Sequence, residues 1–86
     1  MGAHDGYQGS DSFSSQLATR LKILRNERGL SQERVAYGAG ISAYTYQKFE
    51  KGESKPGTPL NPRLSTLLAL AGVFEIDITE LLDFRN

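Results

Sequence analysis

The strongest constraint on this chain is the order of small and capping residues across residues 31–52, SQERVAYGAGISAYTYQKFEKG. Ser31 and Ser42 each precede a short amphipathic stretch, and Gly40 and Gly52 each follow one. A serine just before a helix accepts a hydrogen bond from a free amide of the first turn, and a glycine just past the end adopts the left-handed backbone that other residues resist. The segment therefore reads as two short helices joined by a glycine turn. Val35, Ala36 and Ala39 form the inward side of the first helix, Ile41 plugs the space after the turn, and Tyr46 and Phe49 point inward from the second. Ala43, Tyr44, Gln47 and Lys48 fall on the outer face of that second helix.

A chain of 86 residues makes one domain, and so small a core has to be assembled largely from local contacts. Leu17, Leu21, Leu24 and Arg28 recur at helical spacing, which predicts a first helix over residues 13–28, stopped by Gly29 with Leu30 folding back towards the core. Residues 53–61 contain Pro56, Gly57 and Pro59 and read as a loop without regular structure. Asn61-Pro62 reads as a cap followed by proline in the first helical position, and Leu64, Leu67, Leu68, Ala71 and Phe74 carry a fourth helix over residues 62–74. Asp77-Ile-Thr-Glu80 has the form of a capping box, opening a short fifth helix with Ile78, Leu81 and Leu82 as its apolar side. No segment alternates like a strand, so the expected class is all-α with five helices. Residues 1–12, polar and rich in Gly and Ser, read as a flexible N-terminal tail that leaves residues 13–86 as the domain.

The net charge is zero, but the charges are segregated. Residues 13–60 carry eight basic and four acidic side chains, a net +4, while residues 1–12 and 61–86 each carry −2. A basic half beside an acidic one suits a polyanion-facing surface. There is no cysteine, and the single histidine, His4, lies in the polar tail. Neither a disulfide framework nor a thiolate metal site is available, and the domain offers no histidine or cysteine to act as base or nucleophile. No metal, no cofactor and no enzymatic activity are expected. No apolar run approaches the roughly 20 residues that span a bilayer, so the reading is a soluble, cytoplasmic protein with no membrane partner.

Several of these residues fall together in a familiar arrangement: Leu21-x-x-Leu24-Arg25, Gly29-Leu30-Ser31-Gln32-Glu33-x-Val35-Ala36, Gly40-Ile41-Ser42 and Phe49-Glu50-x-Gly52. Downstream, Asn61-Pro62-x-Leu64-x-x-Leu67-Leu68-x-x-Ala71 and Glu80-Leu81-Leu82 continue it. In this joint spacing, from Leu17 to Leu82, the chain resembles the phage-repressor class of helix-turn-helix domains, the Cro/Xre-type family. The resemblance implies a lambda-repressor-like fold that binds double-stranded DNA. Helix two would cross the sugar-phosphate backbone and helix three would lie in the major groove, which displays a distinct pattern for each base pair.

By position in that family, Ser42, Ala43, Tyr44, Gln47 and Lys48 are the candidate base readers. Lys48 has donors for guanine O6 and N7, Ala43 a methyl for thymine, and Tyr44 a ring and a hydroxyl. Gln32, at the positive end of helix two, is the first candidate for a phosphate contact, with Thr45, Lys51 and Lys55 as further donors. The resemblance also assigns Arg25 and Glu50 to a partly buried structural ion pair. Two positions depart from the pattern: Gly38 weakens helix two, and Glu75 stands where glycine is common, implying strain or a different loop path. The implied function is a repressor-like transcriptional regulator, a homodimer through helices four and five on a pseudo-palindromic operator. The alternative is an antitoxin or adaptor that uses the same fold chiefly to bind a protein partner, with Phe84 the suggestive contact residue.

Overall fold

The computed structural model describes residues 5–85, with side chains from Phe13 onward. Five helices and a small hairpin follow in order: α1 (Asp5–Glu27), α2 (Gln32–Ala39), α3 (Ala43–Lys51), β1 (Glu53–Lys55), β2 (Thr58–Pro59), α4 (Leu64–Phe74) and α5 (Ile78–Leu81). The backbone of α1 begins upstream of the expected start at Phe13. Residues 1–4 of the expected tail, and the side chains of residues 5–12, lie outside the described residues.

The capping pattern acts as the sequence implies. Arg34 N donates to Ser31 Oγ at 3.0 Å and Thr45 N donates to Ser42 Oγ at 3.0 Å, each tying down the first turn of its helix. Gly40 ends α2 and Gly52 ends α3 in the left-handed region, at φ 74° and 78°. Gly52 is constrained twice, since a Cβ there would also stand 3.1 Å from the Ser14 carbonyl oxygen of α1. Gly38 has a reason beyond the weakness it confers on α2. A Cβ at this position would meet Val73 Cγ2 at 3.0 Å, so its absence lets α2 lie close against α4. Glu75 takes the strained option, serving as the left-handed end of α4 at φ 59°.

Leu17, Leu21, Val35, Tyr46, Leu70 and Leu81 are fully buried at the centre, with Leu24, Ala36, Phe49, Leu67, Ala71 and Phe74 around them. α1 packs on α3, α2 on both α3 and α4, and α5 on α4. Arg28 closes one edge, with its guanidinium 5.5 Å from the centroid of the Phe74 ring and Nη2 donating to the Phe74 carbonyl.

Four expectations are corrected. Residues 53–59 form an antiparallel hairpin, Glu53 opposite Pro59 and Lys55 opposite Thr58, where a loop was expected. Pro56 and Gly57 are the residues that make it possible: proline presets φ at the first central position of the turn, and glycine takes φ 80° at the second, as a type II turn requires. Pro59 is tolerated because a two-stranded ribbon has only edges. Secondly, α4 starts at Leu64, with Arg63 in extended conformation at the cap position, so Asn61-Pro62 precedes the helix and does not open it. Thirdly, Leu64 and Leu68 are 64% and 50% exposed, while Leu70 is buried in their stead. Finally, Asp77 precedes α5 as expected but makes no side-chain capping bond.

Candidate nucleic-acid interface

The inner side of α3 is built around a buried carboxylate. Glu50, 6% exposed, receives Arg25 Nε on Oε2 at 2.6 Å and Arg25 Nη2 on Oε1 at 3.1 Å. The Tyr46 hydroxyl donates to Oε2 at 2.6 Å and Gln32 Nε2 to Oε1 at 3.0 Å. Arg25 Nη1 also donates to the Leu30 carbonyl at 3.0 Å, which fixes the chain between α1 and α2. One carboxylate thereby joins the end of α1, the start of α2 and the last turn of α3. Burial alone would raise the Glu50 pKa, but the hydrogen bonds from Arg25, Tyr46 and Gln32 together hold it below the ordinary carboxylate value. The same arrangement raises the Tyr46 hydroxyl, first through burial and then through its bond to Glu50, so the phenol remains a donor.

The expected ion pair is present, and two members of its network were missed as partners. Tyr46, read only as an inward ring, stands four residues before Glu50 on the same helical face, a spacing from which the contact was available. Gln32, expected at a phosphate, is held by Glu50 through one amide hydrogen. Its second amide hydrogen and its position at the first turn of α2 are compatible with an anion contact.

The outer side of α3 is held far less tightly. Tyr44 is 68% exposed, and Lys48 Nζ sits 4.6 Å from the centroid of its ring, a cation–π pair one helical turn long. Gln47 and Lys51 are exposed beside them. The Ser42 hydroxyl is drawn into the cap, accepting from Thr45 N and donating to Thr45 Oγ1 at 2.9 Å. Ala43 is partly buried against the core, so its methyl is less outward than expected. Lys55 lies on β1, and a groove of about 170 Å³ separates the hairpin from α3, lined by Tyr44, Gln47, Lys48 and Lys51 on one side and Glu53, Ser54, Lys55 and Pro56 on the other. The candidate residues outside the Glu50 network therefore converge on one surface, formed by the outer face and first turn of α3 with the adjoining hairpin.

Phe84, the suggested contact residue, is partly buried. Its ring meets Phe13 edge-on, with centroids 5.9 Å apart, and packs the C-terminal segment on α1. The exposed apolar side chains of α4 are Leu64 and Leu68.

Comparisons with known proteins agree with this architecture. A family model described as a helix-turn-helix domain matches residues 16–83. Over 64 residues the chain is 38% identical to the cryptic phage CTXphi transcriptional repressor RstR of Vibrio cholerae, an alignment covering 74% of this chain and 52% of that protein. It is 37% identical over 68 residues to the HTH-type transcriptional regulator DdrOP3 of Deinococcus deserti, covering 79% of this chain and 48% of the relative. The chain thus spans about half the length of these two relatives. Among solved structures, the restriction-modification controller protein C.AhdI from Aeromonas hydrophila aligns with a TM-score of 0.69 at 31% identity, covering 79% of this chain and 94% of that one. An HTH_3 family transcriptional regulator from Vibrio cholerae aligns with a TM-score of 0.72 at 33% identity, covering 84% of this chain and 37% of that one. Since the two capped helices, the glycine turn between them and the carboxylate that ties both to α1 all lie within the matched span, the chain belongs to the helix-turn-helix domain family.

Proposed function

We propose that this chain is a sequence-specific, double-stranded DNA-binding transcriptional regulator, repressor-like in action, which inserts α3 into the major groove. The observation that carries the reading is the contrast across α3. Its inner side is locked to α1 and α2 through Glu50, while its outer side exposes Tyr44, Gln47 and Lys51 and leaves Lys48 half-buried beside Tyr44. A helix fixed from beneath and polar above is what major-groove reading needs, since the groove admits one helix and is read by side chains reaching base edges. In this reading Tyr44, Gln47 and Lys48, with Ser42 and Ala43 at the first turn, meet bases, and Gln32, Thr45, Lys51 and Lys55 meet phosphates. The names of the relatives, a phage repressor and a restriction-modification controller among them, support it.

Selection of bound sequences from random duplex DNA tests the proposal. A defined motif should be enriched by the wild type and relaxed at one or two positions by Lys48→Ala and Tyr44→Ala. If no sequence is enriched at low salt, DNA reading fails and a role in binding a protein partner takes its place.

Leu64 and Leu68, one turn apart and exposed on α4, support a homodimer through α4 and α5. Two α3 helices would then be about 34–36 Å apart, one DNA turn. Sedimentation of Leu68→Glu is expected to show a monomer, and a variant with wild-type mass would exclude this face as the dimer contact. The proposed site of action is the cytoplasm; among the described residues no helix is long and apolar enough to cross a membrane.

A further inference from the structure

The hairpin of β1 and β2 has no part in the two-helix unit, yet one wall of it faces the outer side of α3 across the groove described above. It is fastened at its base: the Leu60 side chain lies in the core, and Leu60 N donates to the Gly52 carbonyl at 3.0 Å. It is stiffened at its tip by Pro56 and by Gly57 in the left-handed region. Its charges are sorted as well. Glu53, the sole acid in residues 53–59, lines the groove but accepts from Gly57 N at 3.4 Å, so part of its charge is taken up by its own turn, while Lys55 is exposed beside the tip. Lys48 and Lys51 stand on the opposite wall. Two walls bearing three lysines against one glutamate, with a groove of about 170 Å³ between them beside α3, keep a net positive charge that fits a chain of phosphates bordering the major groove.

We propose that the hairpin is a wing: the DNA strand flanking the major groove runs along the groove between α3 and β1, with Lys51 on one side of its phosphates and Lys55 on the other. This rests on the DNA-binding reading and adds to it a contact surface that depends on β structure. The wing holds phosphates and reads no base, so it contributes affinity equally to every sequence. Because Lys55 is carried on a closed ribbon, its contribution requires the turn at Gly57 as well as the charge.

Affinity measured against salt, on an enriched duplex and on a random one, tests the wing with Lys55→Ala, Gly57→Val and the double variant, folding being checked by circular dichroism. Lys55→Ala should lower the slope of log affinity against log salt by about 0.9 for each protomer bound, one phosphate contact each, and equally on both duplexes. The advantage of the wild type over the variant then shrinks about 3.5-fold per bound protomer as salt rises fourfold. Gly57→Val opens the turn and should reproduce that loss, and the double variant should lose no more than Lys55→Ala alone. An unchanged slope in Lys55→Ala overturns the wing, as does a Gly57→Val protein with the wild-type slope or a double variant whose losses add. The slope is read on random DNA too, so failure of the wing is distinguishable from failure of sequence reading, which appears as equal wild-type affinity for both duplexes.

Discussion

The two faces of α3 have the same length of helix and opposite physics. On the inner face Glu50 accepts hydrogen bonds from Arg25 of α1, Gln32 of α2 and Tyr46 of its own helix, and Phe49 is buried beside them. On the outer face the principal contact is one cation–π pair, Tyr44 with Lys48, both belonging to the helix itself. In the DNA-binding reading, stability and recognition thus fall to different faces of one nine-residue helix. Side chains on the outer face can change without disturbing the fold, whereas those on the inner face set the pose in which the outer ones are presented.

The largest expected effect is on the inner face. Arg25→Ala leaves Glu50 charged and buried without its cation, which should cost about 3–5 kcal/mol in urea unfolding; a variant as stable as the wild type would remove the buried pair from the account. Tyr46→Phe keeps the ring but deprives Oε2 of one donor, a loss of about 1–3 kcal/mol by the same measurement. The pH dependence comes next. Glu50 has a folded pKa below its unfolded one, so its stabilisation is fully present above the unfolded value and is lost as pH falls through the folded value. Unfolding free energy should therefore decline in acid, and Glu50→Gln should flatten that decline; an equally steep curve would mean that other carboxylates govern it. The smallest effect belongs to the outer face. Tyr44→Leu and Lys48→Ala should each alter stability by no more than about 0.5 kcal/mol while relaxing base preference in the selection experiment. Destabilisation there to the inner-face extent would erase the distinction between the faces.

Much of this was legible in the amino-acid order because it depends on near neighbours. Ser31, Ser42, Gly40 and Gly52 specify caps and stops through backbone geometry, and Glu75 gives itself away as a non-glycine at a glycine position. The hairpin escaped because strands of three and two residues carry no readable period, and its prolines resemble loop breakers. Leu64 and Leu68 were misjudged because α4 is apolar nearly all round, so periodicity alone does not say which leucines turn inward. Within the site, the Arg25 and Glu50 pair came from family resemblance. The Gln32 contact with Glu50 spans 18 residues and the groove beside β1 depends on the hairpin, so neither has a local signature. The pairing of Tyr44 with Lys48 was within reach, being a simple four-residue spacing.

The approach of Gly52 to the Ser14 carbonyl has a mechanical consequence. The end of α3 can lie this close to the backbone of α1 only because position 52 carries no Cβ. In the DNA-binding reading, the spacing between α3 and α1 is then set in part by a main-chain approach that involves no reading residue. A new set of outer-face side chains would inherit that spacing, whereas a methyl group at Gly52 would press the end of α3 away from α1.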